Sequence, residues 1–489
     1  MYRALILLLA FIACSKDSSS NISSVDILAK VGDKIITLDD YYNRAEYTIR
    51  PLYCKGNLYI HKKIILNNLI AEKLLSLDSE MNDYKTNSKA LESFIKGRKE
   101  QAMRKMLYFQ QGYQKAEVDN EELSHYYKMA GRTYEVSFYS YPSGAFADSV
   151  SIALEQGILP SEIYTAAFGG KIPTREVKWE DSNDPLIDRT LFNSEIRKGQ
   201  IIGPTKLDDD SFFIMQINGW KDVLELSDVK SADRLQRVNN TLKERKGISI
   251  YAEYIKDVMK GVEVSFNKEV FDPYVESISK RFFRTKESKE SAISNALFNS
   301  DELLDLSQIE PSDEIFDELS LYSIGSKTFT VQDFEEGIAS HPLVFRNKKM
   351  DRSEFPKQFR LAIIDYIQDS YLTQKAYELD IDKSFEVMSE EQLWLDSFKA
   401  FQYSSLLKNK MNEETETYIA LRETVDELQQ KYNDVIEIDM ELFEAIELSK
   451  VDMFVTQSNV PYPIVVPNFP SYTDDSYLNF GKKMNTLNN

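Results

Sequence analysis

Histidine is scarce in this chain and cysteine scarcer: three and two among 489 residues. His61, His125 and His341 stand far apart, and neither they nor Cys14 and Cys54 fall at metal-ligand spacing. No metal and no cofactor are expected. No G-x-S-x-G elbow and no H-E-x-x-H helix is present, and Gly169-Gly170-Lys171 lacks the rest of a phosphate-binding loop. Basic residues are also in deficit. Lys and Arg number 59 against 79 Asp and Glu, for a net charge of −20, and they form no cluster. Nucleic acid is excluded as a partner on that balance, and broad electrostatic docking on anionic lipid is disfavoured. The apolar run near the N-terminus is too short to span a bilayer as a stable helix.

What remains is a soluble globular composition, 42% hydrophobic and 28% charged. Its length suits roughly three cores at about 150 residues per domain. Two stretches organise it: Ala29–Tyr42, AKVGDKIITLDDYY, and Tyr322–Phe334, YSIGSKTFTVQDF. In each, a short apolar run turns at a glycine (Gly32, Gly325) and ends in a threonine (Thr37, Thr330). An aspartate follows three residues later (Asp40, Asp333). The pattern predicts a tight hairpin feeding a helix, with the threonine as N-cap and the aspartate in the first turn. The differences 325 − 32, 330 − 37 and 333 − 40 are all 293, which marks a duplicated unit. Ile64–Leu75 and Leu361–Leu372 then read as matching amphipathic helices.

Between the copies the pattern changes. Tyr134–Tyr141 alternates like a strand, Ala153–Gly157 reads as a helix end, Phe168-Gly169-Gly170 as a loop, and Ser211–Trp220 as another strand. Leu224–Met259 is helical, with an interruption at Gly247. Val262–Phe271 and Ser279–Ser291 read as a connector, and Ser389 with Gln392 as a capping box. Glu413–Tyr432 reads as one charged helix. Val460–Tyr472, VPYPIVVPNFPSY, has four prolines and is expected to lie extended on another surface.

VGDKIITLDDY, IILNNLIAEKLL and VDNEELSHYY together resemble the N-terminal chaperone region of the SurA and PrsA family of exported parvulin-type foldases. The order strand, helix, Gly-Gly loop, IRKGQIIGP and strand over 132–222 resembles a parvulin domain. The resemblance implies a mainly α fold with an inserted α+β parvulin-like domain and two SurA-like helical modules. It divides the chain at 26–128 (first module), 132–222 (parvulin-like), 223–318 (return helices and connector), 319–411 (second module) and 412–489 (C-terminal helix and tail). Met1–Cys14 resembles a bacterial lipoprotein signal with Cys14 as the lipidated residue, and 15–25 a tether. That implies an envelope protein held at the periplasmic face of the outer membrane. Cys54 reads as a small packed side chain.

Parvulins lower the barrier to rotation about X–Pro bonds, about 18–20 kcal/mol for a peptide bond. The family does so with paired histidines above an apolar pocket. By the resemblance, Phe138 and Phe213 stand at the two histidine positions, and Met215 and Phe168 belong to what remains of the pocket. Phenylalanine neither titrates nor donates a hydrogen bond, so no catalytic residue is carried over. The expected function is that of a holdase for unfolded outer-membrane or secreted polypeptides, using the chain's 28 Tyr, 27 Phe and 13 Met as adaptable apolar contacts. The alternatives are an active peptidyl-prolyl isomerase and a structural lipoprotein subunit of an envelope assembly.

Overall fold

A computed structural model of the chain describes residues 26–82, 89–142, 144–179, 190–192, 195–207, 211–223, 227–283, 316–347, 350–411, 416–449 and 464–483. Cys14 and its signal lie outside them. The described residues are mainly helical, with three small sheets.

The first hairpin, β1 (Ile27–Val31) and β2 (Lys34–Thr37), feeds α1 (Leu38–Glu46). Its capping box is formed on both sides. The Thr37 hydroxyl accepts from the Asp40 N–H at 3.0 Å, and the Asp40 carboxylate accepts from the Thr37 N–H at 2.9 Å. The helices α2 (Tyr59–Met81), α3 (Lys89–Gln111) and α4 (Asn120–Ala130) follow. Next come β3 (Arg132–Tyr141), α5 (Ala145–Glu155), α6 (Pro160–Phe168), β4 (Thr174–Val177), β5 (Ile201–Lys206) and β6 (Phe212–Asp222). These four strands form an antiparallel sheet in the order β4-β3-β6-β5.

The long α7 (Asp228–Val258) runs through Gly247 without a break. There the missing side chain serves packing instead, since a Cβ would come within 2.9 Å of the Tyr113 backbone. After α7 come β7 (Val264–Phe266), α8 (Lys268–Phe282), β8 (Ser320–Ile324), β9 (Lys327–Thr330), α9 (Val331–Ser340) and α10 (Phe355–Glu378). Helix α11 (Phe385–Met411) begins before the expected Ser389 box, and Ser384 accepts from the Val387 N–H at 3.4 Å. The expected single helix after 413 is two short ones, α12 (Thr417–Ala420) and α13 (Arg422–Lys431). The chain then adds β10 (Ile436–Ile438), α14 (Met440–Ala445) and β11 (Lys482–Lys483).

The contacts divide the chain into two units. Of the described residues, one holds 26–82, 393–411, 416–449 and 464–483; the other holds those from 89 to 392. Each contains one copy of the duplicated element, and the copies agree residue for residue. In the first, Ile27 faces Thr37, Ala29 faces Ile36 and Val31 faces Lys34, with a bulge between Ile27 and Ala29. In the second, Ser320 faces Thr330, Tyr322 faces Phe329 and Ile324 faces Lys327, with the bulge between Ser320 and Tyr322. Gly32 and Gly325 both turn at positive φ, 64° and 57°. Thr330 and Asp333 form the same reciprocal cap.

The duplicated unit is larger than a hairpin and helix. In each copy a third strand pairs antiparallel with the first: β10 with β1, and β7 with β8. Ala29 faces Ile438 as Tyr322 faces Phe266, and Val31 faces Ile436 as Ile324 faces Val264. The differences 438 − 266 and 436 − 264 are both 172. The Asp439 N–H reaches the Leu28 carbonyl at 2.9 Å, as the Asn267 N–H reaches Leu321 at 3.0 Å. Buried Phe443 and Phe271 then occupy matching places on α14 and α8. The second copy is continuous, whereas the first takes its third strand from the far end of the sequence. The stretch 262–271, read as connector, therefore holds the opening strand of the second copy, Val264–Phe266, and the first turn of α8.

Helix α3, expected in the first module, lies in the unit of the second copy. Gly97 lets it approach the end of α9, where a Cβ would sit 1.9 Å from the Ser340 carbonyl oxygen. Arg104 reaches Thr373 at 2.8 Å, and Met103 and Leu107 are buried with Leu372 and Ala376. The α7 helix expected to return to the first module packs on α3 and α4 in this same unit.

Candidate functional site

Alternation along β3 and β6 gives the inserted sheet two apolar faces. Phe138, Phe213 and Met215 share one of them with Tyr134, Val136 and Phe192. Phe138 stands opposite Met215 across the ladder, and its ring lies 6.1 Å from that of Phe213. Three of the four expected pocket residues thus meet. The fourth does not. Phe168, at the end of α6, packs on the other face, its ring 6.0 Å from Tyr139 and 5.2 Å from Tyr164. The Gly-Gly loop that follows turns at positive φ as expected, 73° and 75°.

The second face is built from Tyr139 and Tyr141 of β3 and Ile214 of β6, covered by α5 and α6. The tyrosine rings lie 5.7 Å apart, and both residues are almost fully buried, 5% and 2% exposed. Among the described residues neither hydroxyl has a hydrogen-bond partner. Burial pushes the Tyr139 phenol up to about 12 and raises Tyr141 as well, so both keep their protons as donors. An unpaired buried hydroxyl costs about 1–3 kcal/mol.

A second arrangement sits in the unit of the first copy. Helix α2 is enclosed on all sides: Ile65, Leu66, Ile70, Leu74 and Leu75 are buried, and so are Asn67, Asn68, Glu72, Lys73 and Ser76. Of these polar residues Asn67 and Asn68 meet the extended segment 464–483, which carries no helix, while Glu72 pairs with Arg44. The Asn68 amide donates to the Thr473 carbonyl at 2.7 Å and accepts from the Thr473 and Tyr472 N–H groups at 3.0 and 2.8 Å. Asn67 donates to the Asp475 and Tyr477 carbonyls at 2.8 and 3.1 Å. Arg44, in a two-point ion pair with Glu72, donates to the Asn468 carbonyl at 2.6 Å. All of these contacts are to main chain. In the second copy Gly337 stands where Arg44 stands in the first, and the Tyr366 hydroxyl fills the space. The sequence pattern showed an amphipathic helix here and missed its buried polar side, because the covering segment is some 400 positions away.

The histidines lie elsewhere. His61 is on α2 and His125 on α4, while His341 follows α9 and meets Asp369 at 2.8 Å. Among the described residues no cluster of His, Cys, Asp and Glu could hold a metal ion. Cys54 is fully buried, and burial pushes its thiol up to about 12. Among the described residues no helix is long and apolar enough to cross a membrane. The chain matches no protein-family model, no curated protein and no solved structure.

Proposed function

We propose that this chain is an ATP-independent holdase of the cell envelope, lipid-anchored at Cys14, that binds unfolded outer-membrane or secreted polypeptides. The observation that carries the reading is the capture of 464–483 through its main chain by Arg44, Asn67 and Asn68. A holdase must grip extended chains of differing sequence, and side-chain amides aimed at main-chain groups are indifferent to sequence. The inserted domain serves as an apolar platform rather than an isomerase. In support, Phe138 and Phe213 meet ring to ring where the SurA-like resemblance would place histidines, and neither takes part in proton or hydrogen-bond chemistry.

A paired assay on the chain from Ser15 onward tests this. Suppression of aggregation of an unfolded β-barrel protein is followed beside isomerisation of a short X–Pro peptide. Suppression without isomerisation is expected. Clear isomerisation would restore the enzyme reading, and neither activity would move the assignment to an assembly subunit.

A further inference from the structure

The two copies of the duplicated unit differ at one sheet edge. In the first, the order is β11-β10-β1-β2, and β11 lies parallel to β10 with Lys482 beside Glu437 and Lys483 beside Ile438. In the second, the order is β7-β8-β9, and among the described residues no strand stands on the outer side of β7. The main chain of β7 is nevertheless set as that of β10 is. The Glu263 carbonyl accepts from the Gly325 N–H at 3.2 Å, as Val435 does from Gly32 at 2.9 Å. The Asn267 N–H donates to Leu321 as Asp439 does to Leu28. The differences 435 − 263 and 439 − 267 are again 172. Main-chain groups of successive strand residues point to opposite sides. Those of Val264 and Phe266 therefore point away from β8, at the places where Ile436 and Ile438 meet β11. We infer that the outer edge of β7 binds an extended polypeptide segment, which joins the sheet as a parallel fourth strand in the way that 482–483 joins β10.

The comparison of the copies selects this edge among the others. β2 and β9 are outer strands in both copies alike, whereas β10 holds an extended segment and its counterpart β7 holds none among the described residues. A row of outward N–H and C=O groups is a template for another chain, and pairing through main chain ignores sequence. The edge also has two unlike sides. Val264 and Phe266 pack on the apolar core of the second copy, while Ser265 between them is exposed. Side chains at paired positions of neighbouring strands share a side. An added strand thus lays alternate residues beside the apolar pair and the rest beside Ser265. A segment alternating apolar with polar residues satisfies both, the pattern of a strand with one buried face. The site rests on the holdase reading and gives it a place.

The test uses the chain from Ser15 onward and a fluorescein-labelled peptide alternating Phe with Ser, with binding followed by anisotropy and folding by thermal unfolding. Val264→Pro sets a ring carbon where the outward N–H lies, which blocks an incoming strand and leaves the bonds to β8 in place. Val264→Ala controls for the lost side chain. The proline variant is expected to bind about tenfold more weakly than the alanine variant. The same peptide N-methylated at its serines, which face β7 in this register, should be weakened likewise on the unsubstituted chain, so the test stands even if the proline variant does not fold. Equal binding by the two folded variants, or of the two peptides, would overturn the edge and leave the holdase reading standing. No peptide binding by the unsubstituted chain would also overturn the edge, and loss of aggregation suppression with it would overturn the holdase reading too. In residue-resolved hydrogen exchange of the free chain, the Ser265 amide, opposite Ser323 in the ladder, should be protected and those of Val264 and Phe266 should not. Protection of all three before peptide is added would mean that this chain or a second copy already covers the edge, and would overturn the peptide.

Discussion

Lys34 donates to Asp396 across a 2.8 Å contact, with both side chains out of solvent. Lys73 takes the other carboxylate oxygen at 2.9 Å, and the Ser76 hydroxyl adds a third bond at 2.8 Å. The contact ties β2 to α11, residues 362 positions apart. Burial by itself would raise the Asp396 pKa, but the charges of Lys73 and Lys34 outweigh it and hold the carboxyl below its ordinary 3.8. A carboxylate with a depressed folded pKa stabilises fully above its unfolded value and loses that contribution as pH falls through the folded one. Stability should therefore be level down to about pH 5 and fall below about pH 4. Asp396→Asn should cost about 3–5 kcal/mol at pH 7, since it leaves two buried ammonium groups short of a carboxylate. It should also flatten the acid limb. Urea unfolding at pH 7 and pH 3 measures both; an equal acid limb in the variant would mean that other carboxylates govern it.

The duplicated caps make a second prediction. Thr37→Ala and Thr330→Ala each remove a hydroxyl that accepts from the third residue onward, at 3.0 and 3.1 Å. Each should cost about 1 kcal/mol, and Thr→Ser at either site should restore most of it. Chemical unfolding of the four variants checks this. A loss at Thr37 with none at Thr330 would show that the exposed second cap fits its geometry without contributing energy.

What the sequence disclosed divides by range. The glycine turn, the threonine cap and the aspartate at its third position are all local, so one offset of 293 exposed both copies. The third strands are three residues each, Ile436–Ile438 and Val264–Phe266. That is too short to show alternation, and one of the two arrives from the opposite end of the chain. The proline-rich segment was legible as extended from Ile464 on, because proline forbids a helix, while 460–463 lie outside the described residues. Its partner was not, because nothing about Asn67 or Asn68 in a helical run announces a main chain lying on them. Phe138, Phe213 and Met215 could be placed together by counting along two strands. Phe168 could not, because the face on which a helix settles is a tertiary matter.

Cys54 should be chemically silent while the chain is folded. Its side chain has no exposure, and burial pushes the thiol from its ordinary 9.0 up to about 12. At pH 8 that lowers the thiolate fraction by about a thousandfold, and the thiolate is the reactive form. In the chain from Ser15 onward it is the one cysteine. A thiol-specific chromogenic reagent should therefore give no signal until denaturant is added, then one equivalent. Prompt labelling of the native protein would mean that the segment around 54 opens readily.

Asn68 offers the sharpest test of how the segment 464–483 is held. Its amide carbonyl takes the N–H groups of Tyr472 and Thr473, and its NH₂ takes the Thr473 carbonyl, so one side chain stands in for a strand partner. Asn68→Ala leaves these groups buried without partners, at about 1–3 kcal/mol for each unsatisfied group. That penalty is escaped if the segment leaves α2, where water can pair the freed groups. Hydrogen exchange then separates two behaviours. If 464–483 is a separable strap, the Tyr472 and Thr473 amides should exchange much faster in the variant while those of β1 and β2 keep their protection. If protection falls together at all these sites, the segment belongs to the same cooperative core as the hairpin, and α2 cannot exchange it for an incoming chain. The pairing of β10 with both β1 and β11 gives the second outcome a structural route. The main-chain character of the contacts at Asn67, Asn68 and Arg44 favours the first, because a grip that ignores sequence is one that another extended chain can replace.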